Sequence, residues 1–74
     1  MTTIPLIFLN CGEAGKVKEI LGGDSIIKRL FEMGLNTGAE VRMVKNDSGP
    51  VILYTSGSKL ALGRGLAQKI MIEK

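Results

Sequence analysis

Residues 38–63 read GAEVRMVKNDSGPVILYTSGSKLALG, and this segment contains three of the predicted strands. Near its start, Val41 and Met43 alternate with charged residues, which is typical of a half-buried strand, and we predict that strand over residues 39–45. The residues at 46–49 are polar or glycine and interrupt the pattern. Because short polar breaks connect antiparallel strands, we expect the first strand to form one arm of a hairpin.

The second arm and a third strand follow directly. Residues 50–56 are rich in β-branched and aromatic side chains, and Pro50 stands first, where a strand tolerates the missing N–H group. Gly57 and Ser58 then form a two-residue connection that suits a tight reversal, and residues 59–63 continue as a strand. The sequence therefore predicts a β-meander.

A single short helix is predicted before the meander. Asp24 can offer a side-chain oxygen to the free N–H groups of a first helical turn, and Gly34 suits the left-handed residue that follows a last turn. We therefore expect the helix over residues 24–33. Its apolar residues recur on one face, which we expect to be buried; they are Ile26, Ile27, Leu30 and Phe31.

Extended segments on either side of these elements complete the fold prediction. Residues 5–9 and 16–21 precede the helix, and after a turn at residues 64–68 the apolar Ile70 and Ile72 alternate with their neighbours in a last strand. Because a small sheet with two exposed edges is prone to aggregate, partial closure is favoured. We predict a mainly β fold with one short helix, a small SH3-like, partly open barrel of about five strands.

Length and composition allow one domain. The chain has 74 residues, of which 45% are apolar and 23% charged, close to the averages of globular proteins. Ten glycines are about twice the usual share and indicate many tight turns between short elements. Cys11 is the lone cysteine, so no disulfide forms within the chain. We therefore expect residues 1–74 to form a single domain.

The residue content argues against catalysis and against a metal or cofactor site. No histidine is present, so serine and threonine hydroxyls lack their usual activating base. The seven carboxylates include no pair at spacing i, i+2 or i, i+4, and neither a P-loop nor a dinucleotide-binding glycine motif occurs. We predict that the protein is not an enzyme and has no catalytic, metal-binding or cofactor-binding residues.

The net charge of +3 raises the question of a nucleic-acid or membrane partner. The basic residues form no long run, and Phe8, Phe31 and Tyr54 do not recur at the strand spacing of base-stacking residues. The longest apolar run, residues 4–9, is far too short to span a bilayer, and the start of the sequence lacks a secretion signal. We expect no nucleic-acid binding, no membrane insertion and a cytoplasmic location.

A set of short motifs is more specific than any of these features. Gly15-Lys-Val17 and Gly22-Gly23-Asp24 precede the segment Arg29–Gly38, which has the form R-L-x-x-x-G-L-x-x-G, and the segment Leu60–Arg64 reads L-A-L-G-R. Together these motifs resemble the FeoA family of ferrous-iron-transport accessory proteins, over essentially the whole chain. Thr37 stands where the family often has proline, which should loosen that turn slightly without altering the fold.

The resemblance implies a small SH3-like domain that works with FeoB, the membrane transporter for Fe²⁺ that carries its own cytoplasmic GTPase region. It implies a partner rather than a catalyst, in agreement with the residue content. We expect the domain to dock at the inner face of the membrane, on the cytoplasmic GTPase region of the transporter or else on its membrane part, and to shift the transporter's conformational balance. Such a shift requires tighter binding to one nucleotide state than to the other.

Two other interpretations remain. Similar SH3-like domains occur at the C-terminal end of iron-dependent DNA-binding repressors, so the chain could act on such a repressor in trans. The absence of a helix-turn-helix argues against direct DNA binding. An intracellular iron chaperone is the third interpretation, and it would need exposed carboxylates from more than one chain.

Three arginines and the one tyrosine are the side chains that we expect to contact a partner. Arg29, Arg42 and Arg64 can make forked hydrogen bonds, and Tyr54 combines an apolar ring with a polar end. A proline-rich ligand fits poorly, because the chain has no tryptophan and Phe31 is expected in the core. An ordinary solvated surface explains the same side chains equally well.

Overall fold

The computed structural model describes residues 2–74, which form one six-stranded antiparallel sheet with two helices and a 3₁₀ turn. The strands lie in the order β1-β6-β2-β3-β4-β5, so that β1 and β5 are the two edges of the sheet. In chain order the elements are β1 (Thr3–Pro5), a 3₁₀ turn (Leu6–Phe8), β2 (Ala14–Ile20), α1 (Asp24–Glu32), β3 (Glu40–Lys45), β4 (Val51–Thr55), β5 (Ser58–Leu62), α2 (Arg64–Ala67) and β6 (Ile70–Glu73).

The predicted mainly β architecture is confirmed, with six strands instead of about five. The first strand ends at Pro5, earlier than the extended segment predicted over residues 5–9. The N–H group of Leu9 donates to the carbonyl oxygen of Leu6 at 3.0 Å, and both leucine side chains are fully buried. A 3₁₀ turn places residues three apart on the same side, so it brings both leucines into the core where a strand would separate them.

Helix α1 begins at Asp24 as predicted and ends at Glu32, one residue before the predicted end, but a different residue precedes its first turn. Gly23, not Asp24, is the residue before the first turn, and its carbonyl oxygen accepts the N–H groups of Ile26 and Ile27. Asp24 is the first helical residue and makes no capping hydrogen bond; its carboxylate still interacts favourably with the positive end of the helix dipole. At the other end Gly34 has φ +88°, the left-handed conformation that the sequence predicted.

The buried face of α1 is narrower than predicted. Leu30 is fully buried and Ile26 half-buried, but Ile27 is 41% and Phe31 63% exposed, so the prediction that both lie in the core is wrong. Ile26 and Leu30 are four residues apart and share one stripe. Ile27 and Phe31 lie one residue further on, about 100° around the helix axis. Only one stripe of this short helix therefore meets the sheet.

The core lies on one side of the sheet and includes residues of α1 and the 3₁₀ turn. Alternate residues of the strands supply most of it, as a period of two requires. Thr55 is a buried polar residue among residues 2–74, and its hydroxyl donates to the carbonyl oxygen of Glu40 at 2.9 Å. The buried apolar residues are Leu6, Leu9, Val17, Leu30, Leu35, Val41, Met43, Val51, Leu53, Leu62, Ala67, Ile70 and Ile72.

The tight reversal between β4 and β5 lies one residue earlier than predicted. Its two loop residues are Ser56 and Gly57, with φ +51° and +79°, and Ser58 already belongs to β5. Two consecutive residues with positive φ define a type I′ turn, whose twist matches that of the flanking strands. The loop therefore fixes the register of the β4–β5 hairpin, in which Thr55 lies opposite Ser58.

Within residues 2–74, neither helix has the length and apolar character that crossing a bilayer requires.

Candidate protein-docking surface

Three polar side chains form a row across the outer face of β3, β4 and β5. Arg42 lies opposite Tyr54, and Tyr54 lies opposite Lys59. Because directly opposite residues of antiparallel strands project to the same face, the three side chains stand together on one side of the sheet. All three are exposed, Tyr54 to 47%. The fold thus places a tyrosine ring between two cations.

A bulge in β3 adds a third cation to this face. The pairing register shifts between Met43 and Lys45, so Val44 has no partner of its own and Lys45 lies opposite Ile52. Without the shift, the alternation of the strand would turn Lys45 away from the outer face. Ala61 of β5 continues this second row. We name this surface the basic sheet face and define it by Arg42, Lys45, Ile52, Tyr54, Lys59 and Ala61.

A shallow cleft of about 270 Å³ opens at one end of the basic sheet face. Arg42 stands in its wall, and its Nη1 donates to the carbonyl oxygen of Gly12 at 2.6 Å. Within residues 2–74 the other guanidinium nitrogens make no hydrogen bond, so they can donate to a partner's carboxylate beside Tyr54. The cleft is lined by Ala14, Glu40, Val41, Arg42, Tyr54, Thr55 and Ser56.

Arg64 lies elsewhere and is held within the fold. It is half-buried at the start of α2, and its Nη1 donates to Asn46 Oδ1 at 2.9 Å and to the carbonyl oxygen of Asp47 at 2.5 Å. The amide of Asn46 donates in turn to the carbonyl oxygens of Ile7 and Leu9, at 2.7 and 2.8 Å. This network ties α2, the β3–β4 loop and the 3₁₀ turn together.

The network predicts unequal effects for two arginine substitutions. Arg64→Ala removes the donor to the β3–β4 loop, and because water can reach that loop, we expect a loss of about 1 kcal/mol in the free energy of unfolding. Arg29→Ala is the matched control; Arg29 is exposed on α1, and we expect a change within about 0.5 kcal/mol. Urea unfolding followed by circular dichroism measures both, and equal losses would contradict the clamping role of Arg64.

The exposed residues of α1 border a second cleft, also of about 270 Å³, between that helix and β2. Its floor is apolar, with Ile20, Ile27 and Phe31, while Lys18 and Glu19 bring opposite charges to its wall. The cleft therefore favours neither an acidic nor a basic partner. Arg29 is also on α1, but it does not line this cleft, and it lies on a different element from the basic sheet face.

Two carboxylates in or beside the last strand pair with lysines: Glu73 with Lys18 and Glu13 with Lys74. Glu13 Oε2 accepts a hydrogen bond from Lys74 Nζ at 2.5 Å, and Glu13 Oε1 accepts one from the N–H group of Asn10 at 2.7 Å. The bond from Lys74 and then that from Asn10 hold the pKa of Glu13 below its ordinary value. Within residues 2–74 no three acidic or cysteine side chains converge as metal ligands would.

Sequence reasoning identified Arg42 and Tyr54 but missed the two lysines of the basic sheet face. Lys59 could have been found from the hairpin, because a two-residue loop at residues 56–57 puts position 59 opposite Tyr54. Lys45 had no such signal, since its direction depends on the bulge at Val44. The structure brings Arg42 and Tyr54 together, and it places Arg29 and Arg64 on other elements.

The chain matches the FeoA domain family over residues 4–74. Over 69 residues it is 48% identical to an Fe(2+) transport protein A of Methanocaldococcus jannaschii, and the match covers 93% of this chain and 84% of that protein. A crystal structure of an iron uptake regulatory protein, FeoA, has a TM-score of 0.91 and 34% identity, and covers 99% of this chain and 97% of that one.

Two further structures define the fold type. The FeoA of Stenotrophomonas maltophilia complexed with zinc, described as a prokaryotic SH3 domain protein, has a TM-score of 0.78 and 25% identity, covering 99% of this chain and 91% of that chain. The predicted SH3-like fold is thereby confirmed. A manganese-dependent transcriptional repressor complexed with manganese has a TM-score of 0.89 at 21% identity, covering 99% of this chain but 37% of that chain. That likeness shows a shared fold alone.

Proposed function

The chain belongs to the FeoA family, and from that membership we propose that it is a cytoplasmic accessory protein of ferrous iron transport that binds the cytoplasmic part of a FeoB-type transporter. The protein reaches the inner face of the membrane through this partner and does not insert. It acts by binding and not by catalysis, and it contributes no metal ligands of its own.

The basic sheet face is the observation that supports this proposal. Arg42, Lys45 and Lys59 surround Tyr54 on an exposed surface of the sheet. Arginine and tyrosine are enriched among the residues that dominate protein–protein binding energies, because each offers both apolar area and hydrogen bonds. Three cations outnumber the one carboxylate at the end of this face, that of Glu40, and so steer an acidic partner surface toward it.

Regulation of the transporter requires a difference in affinity. A protein that binds the GTP and GDP forms equally well shifts nothing, however tightly it binds. We propose that the GTPase region presents its acidic docking surface in one nucleotide state more than in the other. The accessory protein then stabilises that state.

Charge reversal at Lys59 tests the docking surface. Lys59→Glu replaces an attraction by a repulsion, so we expect the dissociation constant for the GTPase region to rise about three- to tenfold at low salt, and less at high salt. Lys69→Glu is the matched control, because it changes the net charge equally from a position between α2 and β6. An NMR titration of the labelled protein with the GTPase region measures both dissociation constants.

The same titration can overturn the proposal. If the GTPase region causes no saturating amide shifts at millimolar concentration in either nucleotide state, the protein does not bind that region. If both lysine variants lose affinity equally, binding follows net charge and the basic sheet face has no special role. A repressor as partner, the alternative interpretation, has a shared fold in its favour and would be the next partner to titrate.

A further inference from the structure

The two edges of the sheet differ in their capacity to accept another strand. Edge strand β1 has three residues and ends in Pro5, which has no N–H group to donate. Edge strand β5 has five residues, Ser58–Leu62, and contains no proline. Proteins commonly protect an open edge by making it short, by proline or by charge. Only β1 carries the first two of these protections.

The free backbone groups of β5 can be assigned from the hairpin. In a two-residue type I′ hairpin the residues that flank the loop, Thr55 and Ser58, exchange hydrogen bonds with each other. The alternation along β5 then turns the N–H and C=O groups of Lys59 and Ala61 away from β4. Both residues are exposed, and no hydrogen bond outside the β4–β5 pairing uses these groups within residues 2–74.

The side chains of β5 give this edge two chemically different sides. Leu62 is buried and Leu60 half-buried on the core side. Lys59 and Ala61 stand on the basic sheet face, with Tyr54 directly beside Lys59. A strand laid against β5 would therefore place alternate residues next to leucine on one side and next to a lysine on the other.

We propose that a segment of the protein partner adds to the sheet as a new strand along β5. This segment alternates acidic and aliphatic residues. Main-chain bonds to Lys59 and Ala61 would hold the segment. Its carboxylates would face Lys59, and its aliphatic side chains would cover Leu60. This mode of strand addition is a general way to bind extended peptides. The identity of the partner in this inference rests on the proposed function. The properties of the β5 edge do not depend on it.

Charge selects this occupant over the others. The three cations of the basic sheet face repel a basic strand and a second copy of the same face, since two copies paired through β5 would bring Lys59 near its counterpart. The cleft beside α1 carries both charges and indicates no particular occupant. The free backbone groups of β5 and the positive charge beside them therefore both favour the addition of an acidic strand at this edge.

Ala61→Pro tests the edge without disturbing the hairpin. Proline is tolerated on an edge strand where the lost N–H group faces solvent, so the β4–β5 pairing should persist. Ala61→Val is the matched control, because it keeps the N–H group and suits a strand. The probe is the synthetic peptide EVEVEVE, with KVKVKVK as its charge-reversed counterpart, added to the labelled protein and followed through amide shifts.

We expect EVEVEVE to shift the amides of Lys59, Ala61 and their neighbours, with about a tenfold loss of affinity in Ala61→Pro and none in Ala61→Val. Circular dichroism on both variants verifies that they fold. The inference is overturned by shifts confined to the α1 cleft, by equal affinity for KVKVKVK, by no shift at millimolar peptide, or by equal affinity of the two variants. If, without peptide, the amide shift of Lys59 changes with protein concentration, the edge binds a second copy of the protein. That result would also overturn the inference.

The GTPase region separates this inference from the function on which it rests. If that region binds, and Ala61→Pro binds it as tightly as Ala61→Val, strand addition is wrong and the accessory role stands. If EVEVEVE behaves as expected and the GTPase region does not bind, the edge is a docking site and the proposed partner is wrong. If Ala61→Pro weakens the binding of both EVEVEVE and the GTPase region, and Ala61→Val weakens neither, both proposals are supported.

Discussion

Leu30→Ala is expected to lower the free energy of unfolding by about 2–5 kcal/mol, the range for removing a buried leucine side chain. Leu30 is the fully buried residue of α1, and the N–H group of Leu35 closes the end of the helix by donating to its carbonyl oxygen at 2.8 Å. Packing of the Leu30 side chain in the core therefore holds the helix against the sheet. Because the chain has no tryptophan, urea unfolding is best followed by circular dichroism.

Phe31→Ala is the matched control for Leu30→Ala. Phe31 is the larger side chain and the next residue along the same helix, but it is 63% exposed. We expect its removal to cost less than about 1 kcal/mol. A loss at Phe31 equal to that at Leu30 would mean that both side chains are buried and that the narrow contact face of α1 is incorrect.

Gly15→Ala is the second substitution with a large expected effect. A Cβ atom at Gly15 would overlap the Cγ2 methyl of Ile72 and lie 2.9 Å from the carbonyl oxygen of Glu73. Ile72 is fully buried, so its methyl has little room to move, and the backbone of β6 would have to shift. We expect a loss of about 1–3 kcal/mol in the free energy of unfolding.

Gly49→Ala separates this steric effect from the general effect of replacing glycine. Gly49 is exposed in the β3–β4 loop, a Cβ atom there meets nothing within 4 Å, and its φ is not positive. We expect a change within about 0.5 kcal/mol, because alanine also restricts the unfolded chain. Thermal unfolding of both variants compares them. A stable Gly15→Ala protein would contradict the close approach of β2 and β6.

Local sequence patterns correctly predicted those elements whose conformation depends on residues nearby in the chain. The alternation of Val41 and Met43, the turn residues after them and the left-handed position of Gly34 each depend on nearby residues alone. The same reasoning placed Phe31 in the core, because periodicity tells which residues share a helix face and not how wide a stripe the sheet covers. The 3₁₀ turn was not predicted, because it forms where Leu6 and Leu9 must both be buried on the same side. That burial depends on the rest of the fold.

The candidate site shows the same limit. Arg42 and Tyr54 could be chosen by residue type, but their position opposite each other on β3 and β4 depends on the register. The bulge that turns Lys45 outward has no sequence signature in this chain. Arg64 shows the converse case, because its hydrogen bonds reach residues far away along the chain, and sequence reasoning could not tell a clamping arginine from a docking one.

The affinities for the two nucleotide states of the transporter's GTPase region show whether the protein favours one of these states. Titration calorimetry with the region in its GTP-analogue form and in its GDP form gives the two dissociation constants for the complete protein. We expect the two constants to differ by about fivefold or more, the lower end of typical coupling between linked sites. Equal dissociation constants, or no binding to either form, would contradict an accessory protein that acts by favouring one state of the transporter.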